Sequence, residues 1–238
     1  MTDSKPLEGK LALVTGASRG IGAATAEALA AAGAHVIMVA RTGSALEKVE
    51  DRIHEAGGSA TIAPLDLTDG ESIGKLGAAV AERWRKLDIL VLNAAMLGSL
   101  TPVEHIDPKE YSRILTLNVG SNQALIAAFD PLLREAERAD VVGITSSVGH
   151  EPRAFWGAYG SSKAALENLL GAYADETEHT GRVRVHIVDP GATRTRMRQL
   201  AFPGEEPESV KPPEAVAEFI LQRLFADVKT GELVRAEG

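Results

Sequence analysis

The stretch Leu11-Ala12-Leu13-Val14-Thr15-Gly16-Ala17-Ser18-Arg19-Gly20-Ile21-Gly22 decides the fold. An uncharged, β-prone run passes straight into glycine, and Gly20-Ile21-Gly22 opens an alanine-rich segment. The reading is therefore a buried strand, a tight turn and a helix N-terminus. Unpaired amides and the positive dipole end of such a helix attract phosphate, and glycines let the backbone come close to it. The spacing is G-x-x-x-G-x-G rather than G-x-G-x-x-G. Its place after the first strand favours a pyrophosphate-binding turn over a purely structural one.

Outward from this turn, short β-rich apolar runs alternate with longer Ala/Leu/Glu-rich stretches, the pattern of βαβ units around a buried parallel sheet. Strands are predicted at Leu11–Thr15, His35–Ala40, Ala60–Pro64, Ile89–Leu92, Val141–Thr145 and Val183–Val188, with a weak seventh near Glu232–Arg235. Helices are predicted near 21–32, 43–56, 70–85, 108–136, 158–179 and 213–226. Right-handed crossovers would wind them onto both faces, so the expected fold is α/β: a Rossmann-type, doubly wound parallel sheet of six to seven strands. The chain, 1–238, reads as a single domain. Residues 191–213 carry Pro203, Pro207, Pro212 and Pro213 with Gly191 and Gly204; following the sixth strand, they form a candidate substrate lid.

With 45% hydrophobic residues, a chain of 238 can bury one substantial core. A formal charge of −8 weakens attraction to nucleic acid and to anionic membranes, so neither is an expected partner. The absence of cysteine excludes disulfides, thiolate metal sites and cysteine nucleophiles. The six histidines lack paired ligand spacing such as H-E-x-x-H, and no metal is expected. The opening Met1-Thr2-Asp3-Ser4-Lys5-Pro6-Leu7-Glu8 has no basic head or apolar stretch of a secretory signal, and no later run is long enough to span a bilayer. That predicts a soluble, cytoplasmic protein.

Far downstream, Tyr159-Gly160-Ser161-Ser162-Lys163 places a phenol and an ammonium one helical turn apart. A free tyrosine titrates near ~10, so one used at neutral pH needs a neighbouring cation; Lys163 is expected to favour the phenolate of Tyr159. An isolated Tyr-x-x-x-Lys pair is commonplace, but behind a glycine turn it reads as acid–base chemistry beside a dinucleotide. The second strand ends at Ala40-Arg41, where an NAD-binding unit usually carries an acid for the ribose 2′-hydroxyl. A cation there, with Arg19 in the glycine turn, welcomes a 2′-phosphate. The expected cofactor is NADP(H), with NAD(H) second.

These motifs resemble the short-chain dehydrogenase/reductase family from Thr15 to about Thr195. Gly16, Ser18, Arg19, Gly20, Ile21 and Gly22 match its cofactor loop, Asp66-Leu67 is similar to its adenine-contacting pair, and Leu92-Asn93-Ala94-Ala95 stands where the family has Asn-Asn-Ala-Gly. The resemblance implies a catalytic tetrad of Asn118, Ser146, Tyr159 and Lys163. The spacing from Ser146 to Tyr159 favours Ser146, with Ser147 as the alternative. Pro190, Gly191, Thr193 and Thr195 match the stretch that holds the nicotinamide carboxamide and a nearby phosphate, and Tyr159 and Lys163 would also touch the cofactor.

The implied activity is hydride transfer between NADP(H) and a small carbonyl or alcohol substrate. Tyr159 would act as acid or base, Ser146 would polarise the carbonyl, Lys163 would bind the nicotinamide ribose, and Asn118 would hold a water leading from Lys163 to solvent. Leu92 and Ala95 depart from the family motif, and the tail after Gly231 is short, which leaves homodimer and homotetramer both open. Motif content is close to the 3-oxoacyl-carrier-protein reductases. Against a carrier-protein substrate stands the acidic run Asp175-Glu176-Thr177-Glu178 at the end of the catalytic helix. Ala154-Phe155-Trp156-Gly157-Ala158-Tyr159 also resembles an uncharacterised bacterial oxidoreductase subgroup. A non-catalytic nucleotide-binding regulator on the same fold is the competing reading, opposed by the ordered Ser146, Tyr159 and Lys163.

Overall fold

The structure, a computed structural model, describes residues 5–237. Strands β1 (Leu11–Thr15), β2 (His35–Ala40), β3 (Ser59–Pro64), β4 (Ile89–Leu92), β5 (Ala139–Ile144), β6 (Val183–Asp189) and β7 (Leu233–Arg235) form one sheet in the order β3-β2-β1-β4-β5-β6-β7. Every pairing is parallel. The helices are α1 (Gly20–Ala31), α2 (Gly43–Glu55), α3 (Gly70–Arg83), α4 (Pro108–Leu115), α5 (Ser121–Arg134), α6 (Gly157–Glu178), α7 (Arg196–Ala201) and α8 (Pro213–Phe225).

Side-chain alternation along the strands divides the core in two. Leu11 and Leu13 of β1 pack with Ile73 and Val80 of α3, Leu125 and Phe129 of α5, and Leu166 and Leu170 of α6. Ala12 and Val14 point to the other face, against Ala26 and Leu29 of α1, Leu46 and Val49 of α2, and Val216 and Ile220 of α8. With both faces covered, the central strands have no polar side to show, which is why they read as unbroken apolar runs. Chain order reverses between β1 and β4, opening a crevice at their carboxyl ends, and the glycine turn lies at its lip.

Two stretches differ from expectation. The helix predicted over 108–136 is interrupted by a π-helical turn, Thr116–Gly120, between α4 and α5. Asn118 sits in that wider turn, and its side chain is drawn to neighbours outside the helix. The segment 191–213 carries structure of its own: α7, a 3-10 turn at Pro207–Ser209, and a bridge between Thr193 and Lys211 that draws its ends together. Among the described residues, no helix is long and apolar enough to cross a membrane.

Candidate active site

The glycine turn is held by a staple between β1 and β4. The Thr15 hydroxyl donates to the Val91 carbonyl at 3.0 Å and accepts from the Asn93 and Ala94 amides at 3.0 and 3.1 Å. Asn93 Nδ2 donates to the Thr15 carbonyl at 2.8 Å. Asn93 therefore shapes the turn with its side chain. Gly16 and Gly20 adopt φ of +66° and +56°, where a Cβ is strained. A Cβ at Gly22 would stand 2.5 Å from Asn93 Nδ2 and clash with the Gly16 carbonyl. Arg19, the residue before α1, caps it with no side-chain hydrogen bond, so the first helical amides are open to an anion. The chain thus presents a cradle of backbone donors, which fits a dinucleotide pyrophosphate.

Asn118 from the π turn, Ser146 from the loop after β5, and Tyr159 and Lys163 from α6 converge at the carboxyl edge of β4 and β5. Ser146 follows β5 and leads into a 3-10 turn, Ser147–Gly149, that lies on α6. Gly160 makes this approach possible: a Cβ there would stand 2.7 Å from the Val148 carbonyl. Among the described residues, the hydroxyls of Ser146 and Tyr159 make no hydrogen bond within the chain. Lys163, 2% exposed, donates from Nζ to the Ile144 carbonyl at 2.7 Å. Asn118 is bonded on both sides of its amide: Oδ1 accepts from the Met96 amide at 2.9 Å, and Nδ2 donates to the Met96 carbonyl at 3.0 Å and to Ser162 Oγ at 2.9 Å. Its carbonyl accepts from Asn122 Nδ2 at 2.8 Å. Asn118 thus ties the loop after β4 to α6.

The electrostatics reverse one expectation. Burial pushes the Tyr159 phenol well above its ordinary value, and Asp189 adds to the rise. Lys163 Nζ lies 5.7 Å from the Tyr159 ring centroid. Burial also lowers Lys163 to about 8, opposed by the negative charge of Glu167. Tyr159 is therefore a firmly protonated donor over a lysine whose charge is easily lost.

The segment 191–213 reaches back to both centres. Thr195 caps α7, its hydroxyl accepting from the Arg198 amide at 3.1 Å, and a Cβ at Gly20 would touch its methyl at 3.3 Å. Past α7, the Phe202 ring lies 5.8 Å from Trp156, which meets Tyr159 edge-on at 6.0 Å. Arg198 covers Phe202 at 3.8 Å and forms a two-pronged ion pair with Glu205 at 2.6 and 2.7 Å. Beside Trp156, Phe155 holds φ of +73°. That left-handed conformation costs a bulky residue on the order of 1 kcal/mol or more.

The chain matches the short chain dehydrogenase family over residues 10–206. It belongs to that family. It is 36% identical over 230 residues to the uncharacterized oxidoreductase YciK of Escherichia coli K12, spanning 94% of this chain and 90% of that protein. A short chain dehydrogenase of Escherichia coli CFT073, solved in complex with NADPH, superposes with a TM-score of 0.92 at 36% identity, covering 99% of each chain. Another from Shigella flexneri 2a, complexed with NADP, superposes with a TM-score of 0.91 at 34% identity over 98% of this chain and 99% of that one.

Within this short chain dehydrogenase, the remaining predicted positions fall into two groups. Asp66 Oδ1 accepts from the Thr68 amide and hydroxyl at 3.0 and 2.8 Å, and these bonds hold its carboxyl below the usual range, aided by the nearby charge of Arg41. Leu67 is buried in the core cluster under α3, α5 and α6, Ile21 packs against the cluster on the opposite face of the sheet, and Arg19 and Arg41 are exposed. Pro190, Gly191 and Thr193 form the turn after β6. There the Gly191 amide donates to Asp189 Oδ1 at 2.9 Å, and Thr193 Oγ1 donates to the Pro190 carbonyl at 3.0 Å.

Three residues near the site escaped the sequence reading. They are Thr15, whose hydroxyl staples β1 to β4, and Asp189 and Glu167, whose charges bear on Tyr159 and Lys163. Glu167 alone had a legible signal, since it stands four residues after Lys163. The acidic run Asp175-Glu176-Thr177-Glu178 is at the far end of α6, roughly 24 Å from Tyr159 at 1.5 Å per residue, and says nothing about the substrate mouth.

Proposed function

We propose that this short chain dehydrogenase moves a hydride between NADP(H) and the carbonyl or alcohol of a small molecule. The observation that carries the reading is the pair of uncommitted hydroxyls, Ser146 and Tyr159, beside a buried ammonium and a pre-shaped glycine turn. When bound, the nicotinamide cofactor supplies or accepts the hydride.

The chain's residues do the rest. Gly16, Ser18, Gly20, Ile21 and Gly22 hold the pyrophosphate with backbone amides. Arg19 and Arg41 would hold a 2′-phosphate, Asp66 and Leu67 the adenine, and Pro190, Gly191, Thr193 and Thr195 the nicotinamide end. Ser146 donates a hydrogen bond to the substrate oxygen as charge builds on it; a preorganised donor of this kind is worth ~2.7–4 kcal/mol. Tyr159 delivers the proton, and its raised pKa keeps that proton in place until the oxygen needs it. Lys163 sits beneath with its charge directed at the ribose, while Asn118, Asn93 and Thr15 act as positioning residues. The segment 191–213 closes the site as a lid, latched by Trp156, Phe202, Arg198 and Glu205.

The testing experiment titrates the protein with NADPH and NADH by nicotinamide fluorescence, then adds ketones and aldehydes to the same samples. NADPH-selective binding followed by its oxidation is expected. Failure to bind either nucleotide would overturn the reading, and binding without turnover across the panel would favour a regulator.

A further inference from the structure

Asp189 closes β6 and is 2% exposed. It follows Val188, whose carbonyl accepts from the Thr145 amide at 2.8 Å, so it flanks the start of the loop that carries Ser146. Strand alternation puts it on the face of Ile187, which packs with Leu166 and Leu170 of α6. Tyr159 lies two turns before Leu166 on that helix. Asp189 therefore stands on the side of the sheet that faces the proton donor, and Tyr159 feels its charge.

The carboxylate is poorly compensated. Oδ1 accepts from the Gly191 amide at 2.9 Å, while Oδ2 is buried with no hydrogen-bond partner among the described residues. Arg235 Nε stands 3.8 Å from Oδ2, beyond hydrogen-bonding distance, on a side chain that is 57% exposed. A Cβ at Gly191 would stand 3.4 Å from both Arg235 Nε and Lys211 Nζ, so two cations flank the turn that Asp189 braces. Arg235 is exposed and Lys211 half-buried, and water and salt screen them more strongly than they screen the buried anion. A buried carboxylate held by one amide and a distant cation costs the fold stability, and such groups cluster at functional sites.

We infer that Asp189 is an electrostatic positioning residue for the nicotinamide: its fixed negative charge favours the cationic ring of NADP+ over the neutral ring of NADPH. The inference rests on the reading above, in which Pro190, Gly191, Thr193 and Thr195 hold the nicotinamide end. In reduction, two electrons and a hydrogen pass to the carbonyl carbon, the Tyr159 proton passes to its oxygen, and one positive charge stays on the ring. Asp189 supplies the counter-charge for it, in place beforehand and needing no reorganisation.

Calorimetric titration with NADP+ and with NADPH tests this without turnover. In Asp189→Asn, which keeps an acceptor for the Gly191 amide, the ratio of Kd for NADP+ to Kd for NADPH is expected to rise about tenfold, through weaker binding of NADP+. In Arg235→Ala, a change at an exposed side chain, the ratio should fall by about threefold, because a charge that tempers Asp189 is gone. Equal weakening of both nucleotides in Asp189→Asn would mean that the residue only braces the turn; it would overturn the inference and leave the reductase reading standing. An unchanged ratio in Asp189→Asn would overturn it as well. Binding of neither nucleotide by the parent protein would overturn both. Should Asp189→Asn fail to fold, Arg235→Ala decides, and a ratio that rises or stays level is the contrary result.

Discussion

Glu167 stands one helical turn beyond Lys163 on α6, and its negative charge opposes the loss of the buried lysine's proton. The carboxylate is fixed from the loop after β5: it accepts from the Thr145 hydroxyl, and its Oε1 lies 3.1 Å from His150 Nδ1. Gly149 leaves room for it, since a Cβ there would meet Glu167 Oε1 at 2.5 Å and Lys163 Cβ at 3.1 Å. The loop that carries Ser146 thus also holds the anion that supports Lys163.

Lys163 loses its charge as pH rises through about 8, so turnover that needs the ammonium declines above that pH. Removing the Glu167 charge favours deprotonation further, and Glu167→Gln is expected to bring the alkaline limb down by about one unit. The two enzymes should be closest near pH 6 and diverge most above pH 8. A kcat profile against pH checks this, and superimposable profiles would remove Glu167 from the account. Thr145→Val, which keeps the charge but not its anchor, is expected to give a smaller shift.

Tyr159→Phe keeps the ring that packs on Trp156 and removes the proton. NADPH affinity should be nearly unchanged while turnover falls by about 10²–10⁴-fold. Retained turnover would mean that another group supplies the proton.

Arg41 is exposed, and its charge bears on Asp66. Arg41→Ala is expected to weaken NADPH by about 1.5–3 kcal/mol, the scale of a charge-assisted hydrogen bond, and NADH hardly at all. Fluorescence titration separates the two nucleotides; equal losses would contradict the role given to Arg41.

Gly22→Ala inserts a methyl against the Gly16 backbone carbonyl and against the Asn93 side-chain nitrogen at 2.5 Å, which is itself held by the Thr15 carbonyl. Overpacking of this kind costs about 1–3 kcal/mol. For a chain of this size, each kcal/mol lowers Tm by about 2–4 °C. Calorimetry should show that loss together with weaker binding of both nucleotides, and an unchanged Tm would show that the turn relaxes freely.

The strands were legible to within two residues because a sheet buried on both faces writes itself as apolar runs, and parallel order follows from the helices between them. The glycine turn was legible because close packing and positive φ leave few other residue types possible there. The π turn at Thr116–Gly120 was not, since it depends on Asn118 finding Met96 and Ser162, partners 22 and 44 residues away along the chain. For the same reason the work of Asn93 and Asn118 as staples was invisible in their motifs.

The sequence alone determined the order of elements and the place of the glycine turn, since these follow from local periodicity and spacing, while Ser146 was named through the resemblance to the family. Tertiary structure decided the electrostatics and the distances. Burial, which no spacing reports, raised Tyr159 rather than lowering it and brought Lys163 down to about 8. Packing also carried the acidic end of α6 away from the site, because distance belongs to the fold and not to the order of residues.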